Sequence, residues 1–331
     1  MFKKIFVVII LIMILSFLFG PKPNYPTYDG KVDLLNISLN EIEDHIKEKE
    51  AKVPNLKPNN ESEIVWFDGV KKTEYSIVYL HGFSASKMEA DPLHKEMAKR
   101  YGCNLFLHRM AKHGIDDTEI FADLSPADMI NAAKEALAVG KILGEKVILL
   151  STSTGGTFSV YLAAHNPELI HSMIMYSPNF DLYDNKSRML LWPWGLQLAR
   201  KLIGEYRTVN FPDAARPYWM DYYRVEGIIA LKYLVSETMT EDVFKKVKTP
   251  YFAGYYYESE EEQDKIISVA KIREFHKLTA TPEEQKVSHP FPSVKSHVIS
   301  SKWHSKNTGI VKKTTYRFVE DVLGIEAVAF E

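Results

Sequence analysis

Cysteine is almost missing from this chain of 331 residues, and the single one, Cys103, excludes an intrachain disulfide. An excess of charge is missing too: 41 basic and 43 acidic residues give a formal net charge of -2, which does not favour a nucleic-acid surface. Internal repeats are absent. The fold must therefore depend on a hydrophobic core, and a composition that is 46% apolar can supply one. We expect Cys103 to be a buried packing residue in the strand-like run 103–107.

Long apolar runs are missing except near the N-terminus. Lys3 and Lys4 precede an apolar stretch, Ile5 to Phe19, in which only Ser16 is polar. A basic start followed by an apolar stretch is typical of an export signal. No small-x-small cleavage pattern follows, so the pattern favours an uncleaved anchor over a cleaved signal peptide. We predict that residues 1–20 attach the chain to a membrane with its main domain outside the cytoplasm, or that the chain is secreted if the segment is cleaved.

The rest of the chain divides into two parts. Prolines from Pro21 onward predict a linker and a short helix over residues 21–60. Over residues 61–331, strand-like runs alternate with helical runs, which predicts an α/β domain with a mostly parallel sheet and helices on both faces. The predicted strands are 64–67, 76–80, 103–108, 147–150, 170–176, 249–257 and 285–291. Ligands of such sheets bind at the carboxyl ends of the strands.

This alternation is interrupted between Tyr176 and Thr249. The interrupting segment is helical in pattern and rich in aromatic residues, and we predict that about residues 180–246 form an inserted cap over the site. At least half of these aromatic side chains are expected to pack the core of the cap itself. They are Trp192, Trp194, Tyr206, Phe211, Tyr218, Trp219, Tyr222, Tyr223 and Tyr233.

One strand leads into a helix through a turn that carries a serine at its apex. The run Ser151-Thr-Ser153-Thr-Gly155 follows the apolar strand 147–150. A nucleophile on such a turn projects above the sheet, and its neighbours must be small because strand and helix nearly touch. Ser151 and Gly155 are small, although Ser151 departs from the glycine of the G-x-S-x-G pattern. The motif predicts Ser153 as a nucleophile. The alternative is an ordinary loop whose serine caps the helix.

A second turn follows the predicted strand 76–80 and contains His81, Gly82 and Phe83. A glycine at this point lets the backbone bend and present the next amide toward the nucleophile. The amides of Phe83 and Thr154 would then form an oxyanion hole. We expect His81 to support this turn, and we expect His108 and His113 to be structural.

These motifs, in this order, resemble the α/β-hydrolase superfamily, specifically its serine esterases and lipases. The resemblance extends over residues 64–323. It implies an eight-stranded sheet, no cofactor or metal, and a catalytic triad in the chain order serine, acid, histidine.

The resemblance also implies where the other two members of the triad lie. The acid belongs in the loop after the strand 249–257, where Asp264 is favoured because two isoleucines follow it closely. Glu258 is the main alternative, and the remaining glutamates, Glu260, Glu261 and Glu262, are expected to be solvated. Asp264 could also cap a helix beginning at Lys265. The base belongs after the last strand, where the candidates are His297, which apolar residues follow, then His304, and last His289, which is more typical of a packing residue.

The expected function is hydrolysis of carboxylic esters through an acyl-enzyme. The substrate would be a small apolar ester, with monoacylglycerols among the candidates. A peptidase or acyltransferase on the same fold, and a non-catalytic membrane-tethered binding protein, remain alternatives. The oligomeric state is left open.

Overall fold

The computed structural model of the protein describes residues 2–329. Its helices, in chain order, are α1 (Phe2–Leu18), α2 (Ile42–Ala51), α3 (Leu93–Arg100), α4 (Pro126–Leu143), α5 (Thr154–His165), α6 (Gly195–Ile203), α7 (Glu226–Thr238), α8 (Glu241–Lys246), α9 (Val269–Leu278) and α10 (Thr308–Arg317). Its strands are β1 (Glu63–Val65), β2 (Thr73–Leu80), β3 (Asn104–Leu107), β4 (Gly144–Thr152), β5 (Ile170–Tyr176), β6 (Tyr206–Thr208), β7 (Tyr222–Arg224), β8 (Tyr251–Tyr255) and β9 (Lys286–Pro290).

The main sheet has the strand order β1-β3-β2-β4-β5-β8-β9. Only β1 runs antiparallel to its neighbour, so the predicted α/β class with a mostly parallel sheet is confirmed. Within residues 2–329 this sheet has seven strands, and the expected number of eight is wrong. The chain before the edge strand β1 forms helix α2 and an extended segment that packs on helices, so it adds no strand to the edge.

Alternate residues of the central strands face opposite sides of the sheet. Val78 and Leu80 of β2 pack into the core that α4 and α5 cover, while Ile77 and Tyr79 pack into the core that α3 and α10 cover. All four side chains are fully buried. Burial on both faces explains why this strand is a continuous apolar run rather than an alternating one.

Local sequence signals determine how α4 begins. The Ser125 hydroxyl accepts the Asp128 amide at 3.1 Å, and the Asp128 carboxylate accepts the Ser125 amide at 3.0 Å. Pro126 occupies the first helical position, where a missing N–H costs nothing. These contacts fix where α4 begins, and β4 follows directly after this helix.

The order in which the chain adds strands to the sheet reverses at β2. Strand β3 lies on one side of β2 and β4 on the other. Such a reversal opens a crevice at the carboxyl ends of the two strands that flank it. In the β2–β4 register Leu80 pairs with Ser151, so the loop that follows β2 and the turn that follows β4 meet there.

Between β5 and β8 the chain forms α6, the small β6–β7 sheet, α7 and α8. The aromatic side chains of this segment differ in how deeply they are buried. Trp219 and Tyr223 are buried, whereas Trp192, Trp194 and Tyr222 are exposed.

The segment between α1 and α2 lies on the domain surface. The side chain of Asn166, at the end of α5, donates to the Gly30 carbonyl at 2.6 Å and accepts the Val32 amide at 3.0 Å. Tyr28 packs edge-on against Tyr161 of α5, and Tyr25 against Tyr233 of α7. These contacts fix the segment along two helices.

The predicted membrane attachment through the N-terminal segment is wrong, and with it the predicted location. No helix within residues 2–329 is long and apolar enough to cross a membrane. Helix α1 has 17 residues. At about 1.5 Å per residue it falls short of a hydrocarbon core about 30 Å thick.

Candidate active site

Ser153 occupies a strained turn between β4 and α5. Its backbone has φ 53° and ψ -115°, a conformation that L-residues rarely adopt. Its amide donates to the Tyr176 carbonyl, and its carbonyl accepts the amides of Gly156 and Asn179. The turn is therefore fixed from both sides.

Position 155 in this turn requires a residue without a side chain. A β-carbon at Gly155 would lie 1.9 Å from the Leu80 carbonyl oxygen and 3.1 Å from the β-carbon of Ser151. Strand and helix approach one another closely here, as the sequence motif predicts. Ser151 is fully buried, and its hydroxyl is bonded to that of Ser159 at 3.1 Å.

Three side chains from distant parts of the sequence meet at this turn. The Oγ of Ser153 lies 2.9 Å from Nε2 of His297, and Nδ1 of His297 lies 2.6 Å from Oδ2 of Asp264. With the Nδ1 proton donated to the carboxylate, Nε2 is free to accept the serine proton. The structure thus brings together the three residues that the sequence motifs favoured.

Asp264 is held by the backbone that follows it. Its Oδ1 accepts the amides of Ile266 at 2.8 Å and Ile267 at 3.2 Å, while Oδ2 remains for the histidine. Of the two isoleucines only Ile267 is buried; Ile266 is 56% exposed. The expected helix from Lys265 is not formed, because α9 begins at Val269 with Ser268 as its cap.

The charges around His297 favour its protonated form. Burial lowers the pKa of the imidazole, but the Asp264 carboxylate outweighs this, with a smaller contribution from Glu89, and the pKa is raised above the ordinary 6.5. An imidazolium formed when Ser153 loses its proton is therefore stabilised in place.

The alternative acids and bases are engaged elsewhere. Glu258 forms an ion pair with Lys295. His304 bonds the Ser301 hydroxyl through Nδ1 at 3.1 Å, and burial lowers its pKa. His289, in β9, lies against the rings of Phe252 and Phe291, as expected of a packing residue.

Two backbone amides lie in the turns that meet at Ser153. They belong to Phe83, after β2, and to Thr154, the first residue of α5. Neither amide donates a hydrogen bond to any other group within residues 2–329. Free amides beside a nucleophile suit a developing oxyanion.

Buried histidines support the turn after β2. His81 donates from Nδ1 to the Gly82 carbonyl and accepts the Met110 amide at Nε2, 3.1 Å away. His113 accepts the Ser84 amide at Nε2, 3.0 Å away. Burial lowers the pKa of His81 to about 4 and that of His113 well below the ordinary value, so both remain neutral acceptors. The sequence predicted a structural role for both but not the contact with Ser84.

Glu89 is a residue of this site that sequence reasoning missed. It lies in the single turn of 3₁₀ helix Lys87–Ala90 and is 2% exposed, yet its Oε2 accepts the Gly82 amide at 2.8 Å and the Tyr79 hydroxyl at 2.9 Å. A glutamate in a loop gives no local sequence signal of such a contact.

The segment before β7 lies on the turn after β2. The Met220 amide donates to the Ser84 carbonyl at 2.7 Å, and the Lys57 ammonium donates to the carbonyls of Arg216 and Trp219. The Nδ2 of the Asn60 side chain donates to the Pro217 carbonyl at 3.1 Å. We call the segment Arg216–Met220 the covering segment.

No cluster of His, Cys, Asp or Glu within residues 2–329 could hold a metal ion.

The chain matches no family model, and a comparison with curated proteins found no match. Solved structures are similar in fold. One is described as coming from work on LipS and LipT, two metagenome-derived lipolytic enzymes; it has 15% identity and a TM-score of 0.64 and covers 80% of this chain and 99% of its own. A soluble variant of the monoglyceride lipase from Saccharomyces cerevisiae has 12% identity and a TM-score of 0.58, with 78% and 91% covered. The monoacylglycerol lipase of Paleococcus ferrophilus has 13% identity and a TM-score of 0.51, with 70% and 87% covered.

These similarities, together with the sheet order and the strained turn at Ser153, define the fold. The chain has the α/β-hydrolase fold, as the sequence motifs predicted.

Proposed function

We propose that this chain is a serine hydrolase that cleaves carboxylic esters through an acyl-enzyme. The observation that carries the proposal is the hydrogen-bonded series Ser153–His297–Asp264. A hydroxyl is a weak nucleophile at neutral pH and needs an adjacent base, and the base needs a third group to hold its orientation.

The proposed reaction proceeds in two halves. Ser153 Oγ attacks the ester carbonyl while His297 Nε2 takes its proton, and the imidazolium then protonates the departing alkoxide. A water molecule repeats the sequence on the acyl-enzyme and releases the acid. Asp264 remains ionised throughout and stabilises the imidazolium.

The oxyanion of each tetrahedral intermediate would be bound by the amides of Phe83 and Thr154. Each such donor contributes about 3 kcal/mol to transition-state stabilisation. His81, Gly82, Ser151 and Gly155 support the two turns that present these amides.

Apolar surroundings favour an uncharged acyl or alkyl group in the substrate. The Phe83 ring packs 4.8 Å from Phe121 and 5.7 Å from Tyr223, measured between ring centroids. Trp219 and Trp303 meet beside the loop that carries His297. We propose that about residues 180–246 act as a cap over the site and that small apolar esters, with monoacylglycerols among them, are the substrates. Monoacylglycerol and monoglyceride lipases among the similar structures support this choice.

The proposal is tested with a fluorophosphonate probe and p-nitrophenyl acyl esters on the full chain. We expect the wild type to be labelled and to hydrolyse the esters, and Ser153→Ala to lose labelling and at least about 10⁴-fold in kcat. Ser16→Ala, at an exposed position on α1, is the matched control and should behave as the wild type. A folded wild type that neither reacts with the probe nor cleaves any ester would contradict the proposal.

The leaving group distinguishes an esterase from a peptidase on the same fold. We expect the p-nitrophenyl ester to be cleaved far faster than the p-nitroanilide with the same acyl group. Comparable kcat/KM values for ester and anilide would instead indicate a peptidase.

A further inference from the structure

Glu89 is a buried carboxyl group that the proposed mechanism leaves without a role. Within residues 2–329 no lysine or arginine forms an ion pair with it: the neighbouring Lys87 ammonium pairs with Glu61 and Glu63 instead. Burying a carboxyl group without a cation is costly unless its hydrogen bonds compensate. Its partners are therefore informative about its role.

Both partners of Glu89 belong to the strand and turn that present the Phe83 amide. One oxygen, Oε2, accepts the Gly82 amide and the Tyr79 hydroxyl. The peptide that Glu89 holds at its N–H is thus the one directly before the peptide whose N–H would bind the oxyanion. A hydrogen bond at Gly82 restricts the rotation that would turn the Phe83 amide away.

The carboxyl group also lies close to the nucleophile. A β-carbon at Gly82 would be 2.8 Å from Oε1 of Glu89 and 3.1 Å from the β-carbon of Ser153. Glu89 and Ser153 therefore approach the same side of Gly82.

Glu89 is connected to the serine turn by a second route. The Tyr79 hydroxyl lies 3.1 Å from the Thr152 hydroxyl, and Thr152 immediately precedes Ser153. The Thr152 hydroxyl lies 3.4 Å from that of Ser300, in the loop that carries His297. One buried network thus joins the turn after β2, the turn after β4 and the histidine loop.

We propose that Glu89 is a positioning residue that fixes the turn after β2, through the Gly82 amide, so that the Phe83 amide faces the oxyanion. This inference rests on the proposed function for its effect on rate, but the contact with Gly82 can be measured without it.

The charge of Glu89 responds to pH near neutrality. Burial raises the pKa of this carboxyl, and the bonds from Gly82 and Tyr79 and the nearby His297 limit the rise to about 7. The groups that face it are Tyr79 on β2, His297 on the loop after β9 and the backbone of Gly82. The neutral carboxyl can still accept both hydrogen bonds at Oε2, so the turn is held in either form.

Three variants separate the hydrogen bond from the charge. Glu89→Ala removes both acceptor oxygens, Glu89→Gln keeps an acceptor of the same shape without charge, and Thr315→Val removes a buried hydrogen bond to Tyr176 far from the turn. For Glu89→Ala we expect a 10- to 100-fold loss of kcat with KM changed by less than about threefold, as for the partial loss of an oxyanion donor. For Glu89→Gln, which keeps the acceptor of the neutral carboxyl, we expect kcat and KM within about threefold of the wild type. Thr315→Val should change neither.

Hydrogen–deuterium exchange provides the readout that needs no substrate. We expect Glu89→Ala, but not Glu89→Gln or Thr315→Val, to speed exchange at least about tenfold in a peptide covering residues 81–86. Unchanged exchange in Glu89→Ala overturns the inference whether or not the chain hydrolyses esters. If Gln is as impaired as Ala, the hydrogen bond is not the cause and the inference also fails. An inactive wild type with faster exchange in Glu89→Ala would refute the proposed function and leave the positioning role in place.

Discussion

Asp264 and Glu258 follow the same strand and have opposite surroundings. Asp264 is 1% exposed and bonded to His297, whereas Glu258 pairs with Lys295 at the surface. A buried carboxylate hydrogen-bonded to an imidazole holds that ring in one tautomer, and of the two acids only Asp264 is placed to do so.

These two residues therefore supply a matched pair of variants. Asp264→Asn should lower kcat by about 10⁴-fold, because the amide favours the wrong tautomer of His297. Glu258→Gln should leave kcat within about twofold, because surface ion pairs contribute little. Ester hydrolysis under saturating substrate measures both. A large loss of kcat in Glu258→Gln would indicate that Glu258, and not Asp264, is the acid that holds His297.

The raised pKa of His297 predicts the direction in which rate and stability change with pH. The base acts as the neutral imidazole, so kcat/KM should rise with pH through a midpoint above 6.5. The imidazolium–Asp264 pair also stabilises the folded protein. This stabilisation is fully present at pH values below 6.5, the ordinary pKa of histidine, and is lost as the pH rises through the raised pKa of His297. Initial rates and thermal unfolding between pH 5 and 9 test both effects. In Asp264→Asn the midpoint should fall; a midpoint that stays in place would show that Asp264 does not set it.

At the scale of single elements, the contact of β4 and α5 with β2 limits what position 155 can accept. A methyl group on Gly155 would overlap the Leu80 carbonyl, and that oxygen belongs to a central strand that cannot move. Gly155→Ala should lower the free energy of unfolding by on the order of 3 kcal/mol. Urea unfolding measures the change.

The control for this substitution is Gly309→Ala in α10. A β-carbon there has no neighbour closer than 3.7 Å, and alanine is the better helix former. We expect this variant to be as stable as the wild type or more stable by up to about 1 kcal/mol. Equal effects of the two substitutions would show that crowding at the turn is not what excludes alanine.

The covering segment Arg216–Met220 is held to the rest of the domain by few groups, of which Lys57 is the most specific. Lys57→Met keeps the aliphatic part of the side chain but loses the bonds to the Arg216 and Trp219 carbonyls. We expect hydrogen exchange in residues 211–221 to speed up several-fold. Lys52→Met, at an exposed position, is the control, and unchanged exchange in Lys57→Met would mean that other contacts hold the segment.

What the sequence predicted at this scale follows from local signals. Buried parallel strands are short apolar runs, and the small residues around Ser153 form a local pattern, so the strands of the sheet and the close turn after β4 were predicted correctly. Glu89 and His113 contact residues that lie in other elements, and no local pattern marks them. The eighth strand was inferred from resemblance alone, and the chain before β1 does not form it.

At the scale of the whole molecule, the N-terminal part of the chain falls into two pieces with different contacts. None of the residues of α1 is buried. The segment that follows is fixed to α5 and α7 through Gly30, Val32, Tyr25 and Tyr28. The prolines of this segment predicted a linker. They did not predict its contacts with α5 and α7, because composition does not show which surface an extended segment will contact.

Two shortened chains test this difference. Removal of residues 1–18 should change Tm by less than about 2 °C. Removal of residues 1–41 should lower Tm by about 5 °C or more, since it exposes the faces of α5 and α7 and removes the bonds of the Asn166 side chain to Gly30 and Val32. Differential scanning calorimetry measures both. Equal Tm values for the two shortened chains would show that residues 19–41 contribute nothing to stability.

The hydrogen bond between Ser153 and His297 joins residues 144 positions apart in the sequence. During synthesis the ribosome releases the serine long before the imidazole, and β9 must dock against β8 before the loop that carries the imidazole can reach the serine. A nascent or C-terminally truncated chain therefore holds a hydroxyl without its base. If the proposed mechanism is correct, the chain acquires its activity only after almost its whole length has been made and folded.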